Sequence, residues 1–223
     1  MKSTKHLSIT TAKILTLTTA VLLTVGCTFV RSQFGETCKT RAHIPVVLED
    51  YLSRRFATHS PVRIGLIPFS TPANLSGHDI ERPGLGNLLV QELHRRLLAS
   101  GEVPIIEILT RQDWPGKKEE FFTGNYGAIG QARNAGYDLV FVGFVERSRA
   151  ANQMETHAKL IEVDSGITLW YATTNVETQR SNRSELLASL WLDRERPDQL
   201  YIEKMINKTS ACLVDSLTDK QVS

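Results

Sequence analysis

The sequence predicts a single α/β domain in which helices pack on a mixed sheet, with elements in the order β-α-β-α-β-β-β. Three observations predict it. Between residues 61 and 135, short apolar runs bounded by Gly and Pro alternate with amphipathic helical stretches. The run Leu139–Val145, LVFVGFV, is apolar at nearly every position, as a strand covered on both faces requires. Two segments of alternating character then flank Asp164-Ser165-Gly166, which reads as a hairpin turn. With 223 residues, 41% hydrophobic and 22% charged, the chain holds enough apolar material for one sizeable core, and no repeat or low-complexity stretch argues for a solenoid or a disordered chain.

Taken in order, PVRIGLIPF (61–69) is a short apolar strand, and Ser70–Pro83 is a loop. Leu85, Leu88, Leu89, Leu93 and Leu97 recur at helical spacing, while Gln91, Glu92, Arg95 and Arg96 face outward, so a helix spans 84–100. Gly101 stands where a helix stops. Val103–Leu109 is a second strand, Arg111–Gly124 an exposed loop, and Asn125–Ala135 a second helix. After the strand at 139–145, Met154, Thr156, Ala158 and Leu160 alternate with Glu155, His157 and Lys159; on the returning strand Ile167, Leu169 and Tyr171 alternate with Thr168 and Trp170. Helices at about 183–192 and 199–217 close the domain. The right-handed crossover rule makes the early strands neighbours.

The first 26 residues predict a different fate. Residues 1–13 carry Lys2, Lys5 and Lys13 and no acid; Ile14–Val25 is apolar and Thr-rich; Gly26-Cys27 follows at once. A basic start, about 12 apolar residues and a small residue before the cut describe an export signal, too short for a membrane-spanning helix of about 20 residues. The ending Leu23-Thr24-Val25-Gly26-Cys27 resembles the bacterial lipoprotein box, with Thr24 where Leu is usual. That resemblance implies acylation at Cys27, and Thr28, in place of the Asp that favours inner-membrane retention, implies the periplasmic face of the outer membrane. The chain therefore divides into a lipoprotein signal peptide (1–26), an anchor and extension (27–60) and the α/β domain (61–217). Without the three leader lysines, 23 of the 26 basic residues remain against 24 acidic ones, a net charge of −1 that gives no electrostatic reason to bind nucleic acid.

Two cysteines remain, Cys38 and Cys212. An oxidising compartment permits a bridge between them, which would stabilise by on the order of 5 kcal/mol in the chain-entropy model; the alternative is two separate buried thiols. With the bridge, the eleven-residue step from Cys27 to Cys38 is the whole tether, with a reach of at most about 40 Å.

The strand ending in Pro68-Phe69, the Leu-rich helix, the run Gly136-Tyr137-Asp138-Leu139-Val140-Phe141-Val142-Gly143, and the run from Leu160 through Val163-Asp164-Ser165-Gly166 to Trp170 resemble the TolB amino-terminal-like superfamily of bacterial envelope lipoproteins, with CsgG, LpoB and PelC among its members. The resemblance covers about residues 61–178. It implies a fold more than a role. No Gly-x-Ser-x-Gly elbow, His-Glu-x-x-His, Cys-x-x-Cys or phosphate loop occurs, and the histidines are scattered, so neither catalytic residues nor a cofactor or metal is expected. Trp114, Phe121 and Phe122 surround one long loop; they are candidates for contact with a partner or membrane, or fold back to plug the core edge, whereas Trp170 and Trp191 read as core. The expectation is a non-enzymatic scaffold or assembly subunit of an envelope export machine. Its partners would be outer-membrane lipid through Cys27, other envelope proteins and further copies of itself. The alternative is a lipoprotein activator of a peptidoglycan synthase (a penicillin-binding protein), for which residues 28–60, with Ile44-Pro45-Val46-Val47-Leu48, are a short and apolar tether.

Overall fold

A computed structural model describes residues 38–56, 61–72, 78–79, 82–109, 118–146, 152–178 and 197–218. Their elements are β1 (Cys38–Ile44), α1 (Leu48–Arg55), β2 (Arg63–Leu66), β3 (His78–Asp79), β4 (Arg82–Pro83), α2 (Leu85–Ser100), β5 (Ile105–Ile108), α3 (Lys118–Thr123), α4 (Tyr126–Asn134), β6 (Leu139–Val145), β7 (Gln153–Glu162), β8 (Thr168–Glu177) and α5 (Pro197–Thr218). The main sheet runs β1-β8-β7-β6-β2-β5. Its β6-β2-β5 half is parallel, and its β6-β7-β8-β1 half antiparallel. The α/β class with a mixed sheet is therefore as the sequence predicts, and no helix among the described residues is long and apolar enough to cross a membrane.

Strand β6 sits centrally because six of its seven residues are buried, the outcome of an apolar run sandwiched on both faces. Leu139 and Phe141 point to one face, with Leu89, Leu93 and Leu97 of α2 and Met205, Ile206 and Leu213 of α5. Val140, Val142 and Phe144 point to the other, under Ala128, Ile129 and Ala132 of α4 and Phe121 of α3. Each buried Leu, Ile, Val, Met or Phe among them contributes about 1.5–3 kcal/mol. Helix α2 ends at Gly101, whose φ of 72° is the left-handed conformation that a side chain would strain; its N–H donates to the Leu98 carbonyl at 3.3 Å.

Several elements differ from the sequence expectation. Residues 38–56, placed by the sequence in the N-terminal extension, hold β1 and α1. Strand β1, CKTRAHI, alternates small with charged residues, and none of its side chains is fully buried, so its apolar signal is faint. The 111–124 segment, read as exposed loop, contains α3. On β8 the deeply buried row is Trp170, Ala172, Thr174 and Val176, whereas Ile167 is exposed: core packing beneath α5 settled the inward face, not the local apolar count. Within 70–83 lies the two-residue hairpin β3–β4, and Ser70 bridges to Phe144. The helix expected at about 183–192 falls outside the described residues.

Candidate functional site

On the face of the sheet opposite α2 and α5, α3 and α4 pack over β6. Beyond them, β7, β8 and β1 present a row of polar and aromatic side chains. The join between covered and open sheet brings aromatic, histidine and lysine side chains together.

Phe121 and Phe122 are adjacent on α3, and successive helical residues point about 100° apart. One therefore faces in and the other out. Phe121 is 3% exposed, edge-on to Phe144 at 5.0 Å and to Tyr171 at 5.7 Å; Phe122 is 59% exposed. Of the two as candidates for partner contact, Phe121 is thus corrected to a plug of the core edge, because the sheet offers its ring an aromatic floor. Lys159 holds α3 down: its Nζ donates to the Phe121 carbonyl at 2.6 Å and lies 4.2 Å from that ring's centroid. Burial pushes the Lys159 ammonium below its ordinary value.

His157, read from sequence as a solvated residue on a polar strand face, is half-buried. Its ring stacks on Phe144 at 4.5 Å, with Nδ1 at 3.2 Å from both the Tyr171 hydroxyl and Thr173 Oγ1. Nε2 is 3.3 Å from Glu155. His43 of β1 continues the row, stacked on Tyr171 at 4.6 Å and within 3.0 Å of Thr173 Oγ1. Burial lowers the His157 pKa, against the opposing pull of Glu155 and Glu146. Below about pH 6.5 the unfolded chain takes up this proton more readily than the folded one, so stability falls with pH through that range and levels off once both states are protonated. Replacing His157 with Phe is expected to flatten the fall in Tm between about pH 7 and pH 5; an unchanged slope contradicts this account.

The turn from α3 to α4 is fixed from within. Asn125 adopts a left-handed φ of 54°, is 5% exposed, and donates from Nδ2 to the Phe121 carbonyl at 3.3 Å. Glu120 Oε1 accepts from the Gly127 N–H at 2.7 Å. This locked turn presents Tyr126, which is 79% exposed. Tyr126 was legible only in hindsight: its neighbours Asn125 and Gly127 are helix-start residues that leave a first-turn side chain free to face solvent.

A second cluster surrounds Glu162, 6% exposed, whose carboxylate accepts from Tyr51 at 2.8 Å, from Arg55 at 2.7 Å and from Ser165. The hydrogen bond from Ser165, followed by those from Tyr51 and Arg55, holds Glu162 below the ordinary carboxylate range despite its burial. Burial, reinforced by Glu162, pushes Tyr51 up to about 12. These groups lock α1 to the end of β7.

Cys38 and Cys212 are joined by a disulfide, with Cα atoms 6.7 Å apart. Trp170 is fully buried. Cys27, Trp114 and Trp191 lie outside the described residues. Among the described residues, no group of three or more His, Cys, Asp and Glu side chains is placed to hold a metal ion. What the join offers is a rigid aromatic edge, with its histidine and lysine engaged in packing and hydrogen bonds.

No protein-family model matches the chain. A comparison with curated proteins finds no match either. Among solved structures, the chain is similar to the PelC dodecamer from Paraburkholderia phytofirmans, at 13% identity over 78% of this chain and 98% of that one, with a TM-score of 0.40. It is similar to protein XCC0632 from Xanthomonas campestris, at 12% identity over 72% and 86%, with a TM-score of 0.42. It is also similar to the C-terminal domain of LpoB from Escherichia coli, at 17% identity over 59% and 96%, with a TM-score of 0.34. At these identities and TM-scores, the likenesses assign no role to this chain.

Proposed function

We propose that the protein is a non-enzymatic lipoprotein, acylated at Cys27 and facing the periplasm from the outer membrane, which serves as a scaffold or assembly subunit in an envelope machine. The Cys38–Cys212 disulfide supports an oxidising compartment, since such bonds persist there and are rare where thiols are kept reduced. The observation that carries the contact role is the pair Phe122 and Tyr126. Two large aromatics stand 59% and 79% exposed on a turn locked by Asn125 and Glu120. Aromatic groups held rigid before association lose little entropy on binding and so make effective anchors.

The test is the native mass of the protein extracted from membranes in mild detergent. The wild type is expected above the monomer mass. The Phe122→Asp/Tyr126→Asp variant is expected to drop toward the monomer, with far-UV circular dichroism unchanged because both side chains are largely exposed. A strictly monomeric wild type at high concentration contradicts the scaffold reading.

A further inference from the structure

We infer that the Cys38–Cys212 disulfide is a clamp that holds the edge strand β1 on the sheet and thereby fixes where the chain leading from Cys27 ends and the folded domain begins. The length of the membrane tether is the quantity it sets. That consequence rests on acylation at Cys27; the clamp itself does not.

Apart from this bond, strand β1 is held by its backbone ladder to β8 and by contact with α5, to which its own side chains add little apolar burial. It lies at the sheet edge with β8 as its one neighbour. Cys38, Thr40 and Ala42 are half-buried; Lys39, Arg41, His43 and Ile44 are exposed. The partner row behaves differently, since Val176 and Ala172, opposite Cys38 and Ala42, are fully buried. Its own side chains therefore bring β1 little apolar burial to offset the entropy of ordering seven residues. The described side-chain ties to β8 are Thr40 Oγ1 to Thr174 Oγ1 at 3.0 Å, and His43 to Thr173 and Tyr171. A register shift between Ala42 and Ile44 interrupts the ladder near its far end. An edge strand of this kind frays unless something else retains it.

The bond sits at the end that matters. Cys38 is the first residue of β1, and Cys212 lies on α5, whose Thr209, Ser210, Leu213, Val214 and Leu217 are buried in the core. A pull arriving along the chain from the N-terminal side passes at Cys38 directly into α5 and bypasses the β1–β8 ladder. Without the bond, the same pull would unzip β1 one residue at a time. The next firm point is Leu48, 0% exposed, at the start of α1. The tether would then grow from eleven residues to about twenty, and its greatest reach from about 40 Å to about 70 Å.

Trypsin reads the state of β1 directly, because Lys39 and Arg41 lie within it and cleavage requires the backbone to leave the sheet. The purified full-chain lipoprotein in detergent micelles is compared with its Cys38→Ser/Cys212→Ser variant. The clamp predicts cleavage after Lys39 and Arg41 at least tenfold faster in the variant, with sites in α2 (Arg95, Arg96) and β7 (Lys159) unaccelerated. Equal rates at Lys39 and Arg41 overturn it, as noncovalent contacts would then suffice. A common acceleration at every site also overturns it, because the bond would then act only through overall stability. Should the variant fail to fold, judged by far-UV circular dichroism, wild-type protein folded with its bond is treated briefly with a dithiol reductant. The reductant gives up two electrons and two protons to the bond, becoming a disulfide itself, and the same comparison of sites applies. Neither readout depends on acylation, so a chain lacking fatty acid at Cys27 would refute the anchor without touching the clamp.

Discussion

Replacing Trp170 with alanine is expected to destabilise the domain by about 3–5 kcal/mol, the range for emptying a fully buried tryptophan site. The ring is 0% exposed on β8, 5.7 Å from Phe141 of β6, and belongs to the core shared by the sheet, α2 and α5. Those elements come from distant parts of the chain, and a rigid sheet cannot collapse into the space left behind. Among the described residues the buried indole Nε1 has no hydrogen-bond partner. Trp170→Phe is therefore expected to cost much less, because it keeps a ring in the site while removing an N–H whose burial is itself unfavourable. Denaturant unfolding of the two variants measures the difference. A Trp170→Ala protein within about 1 kcal/mol of wild type would show that the site is not the packed centre described above.

Gly86→Ala is the second substitution expected to have a large effect. Gly86 lies in the first turn of α2, and a Cβ built there would stand 2.0 Å from the Phe69 carbonyl oxygen and 3.0 Å from its carbon. Both are backbone atoms, so no side-chain rotation relieves the clash. The Phe69 N–H donates to the Gly86 carbonyl at 3.4 Å, which ties the end of the β2 segment to the start of α2. Separating them displaces Phe69, itself 4% exposed and stacked 6.0 Å from Phe141. Overpacking of this kind costs about 1–3 kcal/mol, and this site belongs at the upper end. The glycine at position 86 thus has a packing explanation: the chain needs a residue without a side chain where a helix crosses a strand end. An unchanged denaturation midpoint for Gly86→Ala would contradict that close approach.

Strong periodicity made the fold legible. The Leu85–Leu97 stripe, the uninterrupted apolar run at 139–145 and the Asp164–Gly166 turn each correspond to an observed element. Elements held by long-range partners were not legible. Strand β1 has little apolar content and depends on β8, which lies about 130 residues further along, and on Cys212. Helix α3 has six residues, too few for a periodic signal, and forms where Phe121 finds the floor of Phe144 and Tyr171. The same limit applies to the candidate site. The doublet Phe121-Phe122 was visible as a feature, but deciding which ring faces inward needs the sheet beneath it. His157 was misjudged because a strand residue with charged neighbours gives no sign that a helix from another part of the chain will half-cover it.

The measurement that tests the account most directly is metabolic labelling with tritiated palmitate in a Gram-negative host expressing the full chain, followed by separation of membrane from soluble fractions. The account predicts a labelled, shortened protein in the outer-membrane fraction, and loss of both label and membrane association in Cys27→Ser. An unlabelled, full-length wild-type chain in the cytosol would contradict it.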